Sequence, residues 1–195
     1  MSDKHLLAEP RLAEFFHSYR KKLADALASV DVAELGRAER ALAYSNTVLV
    51  GGNGGSAAIS NHLCCDMSKG TYPNPRIRTV SLSSNTPLIT AIANDLGYEE
   101  TLVRQLEYYH PQDPNDVVIL ISSSGNSPNI VKAAEWCKAH GPCVIGFTGF
   151  SGGKLSELAD INLHVESDRY GVIEDSHQAL MHCLAEFLKR KTIYG

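Results

Sequence analysis

The sequence predicts an α/β fold: one domain, a three-layer α-β-α sandwich with a five-stranded parallel sheet, preceded by an N-terminal helical extension. Three observations carry this. Short Val- and Ile-rich runs recur along residues 46–195, several apolar on both faces, as strands covered by helices on either side must be. Helix-like segments separate the runs, and strand–helix alternation builds parallel sheets. Residues 1–45 lack such runs, and their apolar residues recur at helical spacing instead.

In chain order, Leu12, Phe15, Phe16, Tyr19, Leu23, Leu27 and Val30 mark a first helix, and Val32 to Ala43 a second, with a break near Asp31. The stripe of Phe15, Phe16, Tyr19 and Leu23 must be covered by the domain or by another subunit. Strands are expected at 47–51, 77–83, 116–122, 142–149 and 161–166. Helices are expected at 56–68, 86–95, 98–108, 127–140, 152–158 and from about Val172 to Arg190. "TYPNPR" (Thr71 to Arg76) and "HPQDPND" (His110 to Asp116) read as loops. Arg76 and Arg78 are candidates to approach a phosphate, with solvated side chains as a reading of at least equal weight. Trp136 is expected in the core.

Composition narrows the function classes. The 195 residues suit one domain, and 44% apolar with 21% charged residues is ordinary globular usage. A net charge of −4, from 18 basic and 22 acidic residues, disfavours a nucleic-acid surface. No window approaches the ~20 apolar residues that span a bilayer, so no membrane role is expected. "MSDKHLLAEP" lacks the apolar stretch of a signal peptide. Five cysteines, an odd number without zinc-finger spacing, read as free thiols in a reducing cytoplasm.

Two loops leave strand ends with small polar residues: Gly51-Gly52-Asn53-Gly54-Gly55-Ser56 and Ser122-Ser123-Ser124-Gly125-Asn126-Ser127. Glycine permits a tight turn and close backbone approach. A helix following each loop turns its free N–H groups and positive end toward it, and the serine hydroxyls add donors. Together these features make an anion cradle. Neither loop has the Gly-Lys-Ser/Thr of a nucleotide-binding P-loop. "GNGGSA" lacks the third glycine of a dinucleotide fingerprint. A smaller phosphorylated ligand fits better.

These residues resemble the sugar isomerase (SIS) domain family, within it the phosphoheptose isomerases, through Gly52-Asn53-Gly54-Gly55-Ser56 and the Ser122 to Ser127 loop. "AIANDLGYE" (Ala91 to Glu99), "FTGFSGGKLSELAD" (Phe147 to Asp160) and the N-terminal helices extend the likeness over nearly the whole chain. The resemblance implies a phosphosugar aldose–ketose isomerase, converting sedoheptulose 7-phosphate to glycero-manno-heptose 7-phosphate through an enediol. It implies that Asn53, Gly54, Ser56, Asp95, Ser122, Ser123, Ser124, Ser127 and Glu174 bind substrate. It further implies a homotetramer with sites at subunit boundaries. A second reading keeps the fold without the chemistry: a phosphosugar-binding or replication-initiator-binding adaptor.

Such an isomerase must remove a proton beside a carbonyl and return it to the neighbouring carbon. His62 and Asp66 are four apart on one predicted helix; Glu174, Gln178 and His182 follow the same spacing on another. The resemblance makes Asp66 and His182 the acid/base pair, and His62, Asp66, Glu174 and His182 a zinc set. The chain departs from the family pattern. Asp66 stands for a longer Glu, Val172-Ile173-Glu174-Asp175 for Arg-Ile-Gln-Glu, and Ser123 for Thr. Of Cys64 and Cys65, about 100° apart on the helix, at most one faces the site.

Overall fold

The computed structural model describes residues 10–70, 77–111, 113 and 115–194. Thr71 to Arg76, including the candidate anion contact Arg76, lie outside the described residues. Helix α1 (Pro10–Ala28) and helix α2 (Val32–Ala43) form the extension. Asp31 separates them as the N-cap of α2, its carboxylate accepting from the Ala33 N–H at 2.7 Å. The core then runs β1 (Thr47–Gly52), α3 (Gly55–Gly70), β2 (Arg78–Ser81), α4 (Thr86–Asp95), α5 (Val103–Tyr109), β3 (Val117–Ser122), α6 (Pro128–His140), β4 (Cys143–Thr148), α7 (Gly153–Leu158), β5 (Ile161–His164) and α8 (Tyr170–Tyr194).

All five strands are parallel, in the order β2-β1-β3-β4-β5. The two-residue period of a strand sorts its side chains between the layers. Val48, Val50, Ile119, Ile121, Ile145 and Phe147 face one cluster, built with Ile59 and Leu63 of α3 and Met181 and Leu184 of α8. Leu49, Val118, Leu120 and Val144 face the other, with Leu106 of α5, Ile130 of α6 and Leu155 of α7. All six residues of β3 are buried, which is why its sequence is continuously apolar. Each such side chain contributes about 1.5–3 kcal/mol by leaving water.

The helix expected over 98–108 is instead a 3₁₀ turn (Tyr98–Glu100) followed by α5. The Thr101 hydroxyl donates to the Tyr98 carbonyl at 2.7 Å, closing the tighter turn. Gly97 enters it at φ +108°, a conformation that stops α4. Trp136 is partly buried against the second cluster and stacks on His140 with ring centroids 4.1 Å apart. The stripe of α1 remains open in the single chain: Leu12, Phe15 and Phe16 are each more than half exposed. Among the described residues no helix is long and apolar enough to cross a membrane.

Candidate active site

In the sheet order, β1 and β3 are neighbours, and the chain leaves them in opposite directions, to β2 and to β4. Such a switch point opens a crevice beyond the carboxyl ends of the two strands. Both small-residue loops start there, since β1 ends at Gly52 and β3 at Ser122, one residue past the Gly52 partner Ile121. Between them lies a cavity of about 160 Å³. Asn53, Ser56, Ser122, Ser123, Ser124 and Ser127 line it from the loops, and Tyr170 and Glu174 from the start of α8.

The serine loop is shaped from behind. The N–H groups of Gly149 and Leu155 donate to the carbonyls of Ser123 and Gly125, each at 2.9 Å, and the Lys154 N–H donates to Asn126 Oδ1 at 3.0 Å. With these acceptors taken up by the β4–α7 segment, the wall left to a ligand is rich in donors. Gly125 sits at φ +66°, and a Cβ there would come within 1.9 Å of the Gly152 carbonyl oxygen. Ser122 Oγ accepts from the Gly125 N–H at 3.1 Å, which leaves its own proton to donate. Ser127 is the N-cap of α6, yet its hydroxyl makes no cap bond and lies 3.4 Å from Ser122 Oγ.

The glycine loop is held by Ser83, which accepts from the Gly52 N–H at 3.1 Å and donates to its carbonyl at 2.9 Å. Gly54, at φ +54°, carries the chain into α3 and lines a smaller neighbouring cavity with Asn53. The positive end of α3 thus opens on the crevice. At Gly55 a Cβ would stand 2.4 Å from Glu174 Oε2, so bare backbone lets that carboxylate sit over the helix start.

The imidazole–carboxylate cluster lies further along the seam where α3 packs on α8. Asp66 is bracketed: Oδ1 is 3.6 Å from His62 Nε2, and Oδ2 is 3.6 Å from His182 Nε2. Gln178 Nε2 lies 2.9 Å from His62 Nδ1 and 3.1 Å from His182 Nε2, tying the two rings together. The ring centroids are 4.9 Å apart, edge to face. Ligating atoms of His62, Asp66 and His182 lie within 4.8 Å of one another, a group that could hold a metal ion. Glu174, expected as a fourth ligand, stands instead at Gly55 in the first cavity. Asp95 is exposed at the end of α4, accepts from Asn94 Nδ2 at 2.8 Å and is not part of the cavity wall.

Other titratable groups flank the site. His177, between Glu174 and His182 on α8, points inward. Its Nε2 is 3.1 Å from the Thr148 carbonyl, Nδ1 is buried without a partner, and burial pushes its pKa down to about 4. Tyr19 of α1 donates to Asp175 Oδ2 at 2.6 Å, and this bond chiefly lifts the phenol to about 12. Burial raises the Cys64 thiol to about 12, whereas Cys65 is exposed. Sequence reasoning missed Tyr170, Ser83, Tyr98 and Asn129 around the crevice. Tyr170 alone carried a signal, being one turn before Glu174.

The SIS domain model matches residues 14–149. The chain belongs to the SIS domain family. Within that family its relatives include phosphoheptose isomerases. That of Akkermansia muciniphila is 35% identical over 192 residues, covering 94% of this chain and 100% of the relative. That of Aneurinibacillus thermoaerophilus is 38% identical over 145 residues, covering 74% and 72%. Phosphoheptose isomerase GmhA from Neisseria gonorrhoeae superposes with a TM-score of 0.83 at 27% identity, covering 92% of this chain and 97% of that one.

Proposed function

We propose that this SIS-family protein is a cytoplasmic phosphoheptose isomerase that interconverts sedoheptulose 7-phosphate and glycero-manno-heptose 7-phosphate. The observation that carries the reading is the bracketing of Asp66 by two imidazoles at 3.6 Å each, on the same helices that open the serine-lined cavity. A pure binding module needs the cavity but not this cluster, so the adaptor reading is not favoured.

In the reaction, the phosphate is held by Ser56, Ser122, Ser123, Ser124 and Ser127, with Asn53 and Gly54 shaping the turn. Asp66 accepts the proton from C1 of the ketose. The C1–H electron pair becomes the C1–C2 double bond of the enediol, and the C2 oxygen takes up a proton. His182, beside Asp66, carries the proton between O1 and O2. Protonation at C2 with loss of the O1 proton then gives the aldose. Gln178 ties the His62 and His182 rings together beside Asp66. His62, Asp66 and His182 are two imidazoles and one carboxylate, a donor set suited to zinc, which when bound would polarise the carbonyl oxygen.

The site is completed by a second subunit in a homotetramer. Ser56 and Asp66 are ten residues apart on α3, about 15 Å along its axis. Among the described residues, the cavity that holds Asp66, with Lys69, Glu186 and Lys189, shares no lining residue with the serine cavity. The side chains of His62, Asp66 and His182 are 48%, 30% and 43% exposed, where proton transfer favours exclusion of water. The open stripe on α1 offers a surface for that assembly.

The test is a coupled assay of sedoheptulose 7-phosphate turnover with wild type, Asp66→Asn and His182→Gln. Each substitution is expected to lower kcat by about 10²–10⁴. Full activity in both variants ends the assignment.

A further inference from the structure

The glycine loop carries one side-chain amide, Asn53, and three hydrogen bonds determine which of its atoms remain for a ligand. Asn53 Nδ2 donates to Asn129 Oδ1 at 2.9 Å, and Asn129 Nδ2 donates back to Asn53 Oδ1 at 2.9 Å. The Tyr98 hydroxyl donates to the same Asn53 Oδ1 at 2.8 Å. An amide oxygen has two lone pairs and an amide nitrogen two protons. Both lone pairs of Asn53 are therefore filled and one proton is used. One N–H remains, on a residue that lines the serine cavity.

Asn129 is built for this task. It is 2% exposed, at the second position of α6, immediately after Ser127 and Pro128. It joins the two halves of the crevice, since Asn53 follows β1 and Asn129 follows β3. Were the Asn53 amide alone reversed, its nitrogen would face the Asn129 nitrogen and an oxygen would take the place of the free N–H. That oxygen would repel a phosphate among hydroxyl donors. We infer that Asn129 and Tyr98 are positioning residues that make Asn53 a donor only, and thereby tune the crevice to a phosphate monoester.

The inference rests on the isomerase reading for its substrate, but the hydrogen-bond logic concerns anion binding and can be measured separately. Asn129→Asp, Asn129→Ala and Tyr98→Phe are compared with wild type in three assays: turnover of sedoheptulose 7-phosphate, calorimetric titration with inorganic phosphate, and thermal unfolding. Asp at 129 replaces the donor to Asn53 Oδ1 by a second acceptor and is expected to act most strongly. KM and the phosphate Kd should each rise about tenfold, the worth of one bond to a charged group, while kcat changes about twofold or less. Ala at 129 should follow. Tyr98 is 54% exposed, so water replaces its hydroxyl and Phe should raise KM only about two- to threefold.

Unchanged KM and phosphate Kd in all three variants would overturn the inference. So would a fall in kcat and thermal midpoint with KM unmoved, which is the mark of a purely structural pair. If Asn129→Asp fails to fold, Tyr98→Phe, which removes only a rim hydroxyl, still decides between these outcomes. A wild type that binds phosphate but turns over no heptose phosphate would strike the isomerase reading alone. The phosphate titrations of the variants would then still judge Asn129.

Discussion

The serine-lined crevice and the Asp66 cluster both draw on helices α3 and α8 but are built differently. The crevice uses small residues whose positions are set by backbone: strand ends, helix starts, and the bonds from Gly149 and Leu155. Ser56, Ser122 and Ser123 are each less than a tenth exposed. The cluster uses longer side chains projected from helix surfaces, held by Gln178 and by each other, and partly open to water. A rigid frame suits a charge that must be gripped the same way in every state. Movable side chains suit groups that must exchange protons with a changing substrate.

The largest expected effect separates the two regions cleanly. Asp66→Asn should lower kcat by about 10²–10⁴ and leave the phosphate Kd and thermal midpoint near wild type. A large change in phosphate Kd would merge the regions. Gly125→Ala should do the reverse. It forces a side chain into φ +66° and onto the Gly152 carbonyl, costing at least about 1–3 kcal/mol of stability and weakening phosphate binding. Denaturant unfolding and phosphate titration measure both.

An inward imidazole sharpens the contrast with the exposed ones. His177 titrates near its ordinary value when unfolded but only at about 4 when folded, because burial disfavours its charged form. The unfolded state therefore binds more protons between those values, and stability falls as pH drops through that window, by about 3 kcal/mol in all. Urea midpoints at pH 7 and pH 4.5 should show this loss in wild type and a smaller one in His177→Gln. Equal losses would remove His177 as a source.

The smallest effects come from a pair of helix N-caps. Asp31→Ala removes a working cap and should cost about 1 kcal/mol with kinetics unchanged. Ser127→Ala removes a hydroxyl that caps nothing, so KM should rise with little change in thermal midpoint. If Ser127→Ala instead behaves as Asp31→Ala does, its hydroxyl belongs to the frame and not to the ligand.

Much of this was legible before any coordinates. β1, β3 and β4 lie within a residue or two of the expected runs, because strands buried on both faces leave continuous apolar stretches. The two loops were legible because only Gly, Ser and Asn suit a tight turn beside an anion. His62, Asp66 and His182 were legible through helical spacing and family likeness, and the structure brings them together. Glu174 was read as a ligand beside them, but it lies over Gly55. A four-residue spacing gives a shared face and says nothing about how far along a neighbouring helix that face extends. Tyr98 was hidden in a segment read as one helix, and its reach to Asn53 depends on the turn after Gly97.

By itself, the sequence determined the alternation of strands and helices, the two bends of small residues, and the residue types available for proton transfer. These follow from periodicity and local backbone preference, which act over a few residues. Only the tertiary structure decided that β1 and β3 are neighbours, that Asn129 completes Asn53, and that Gln178 bridges the two histidines. Those pairings join residues 76 and 116 positions apart. Which distant side chains meet depends on how helices pack on the sheet, and that is set by the fit of the whole core.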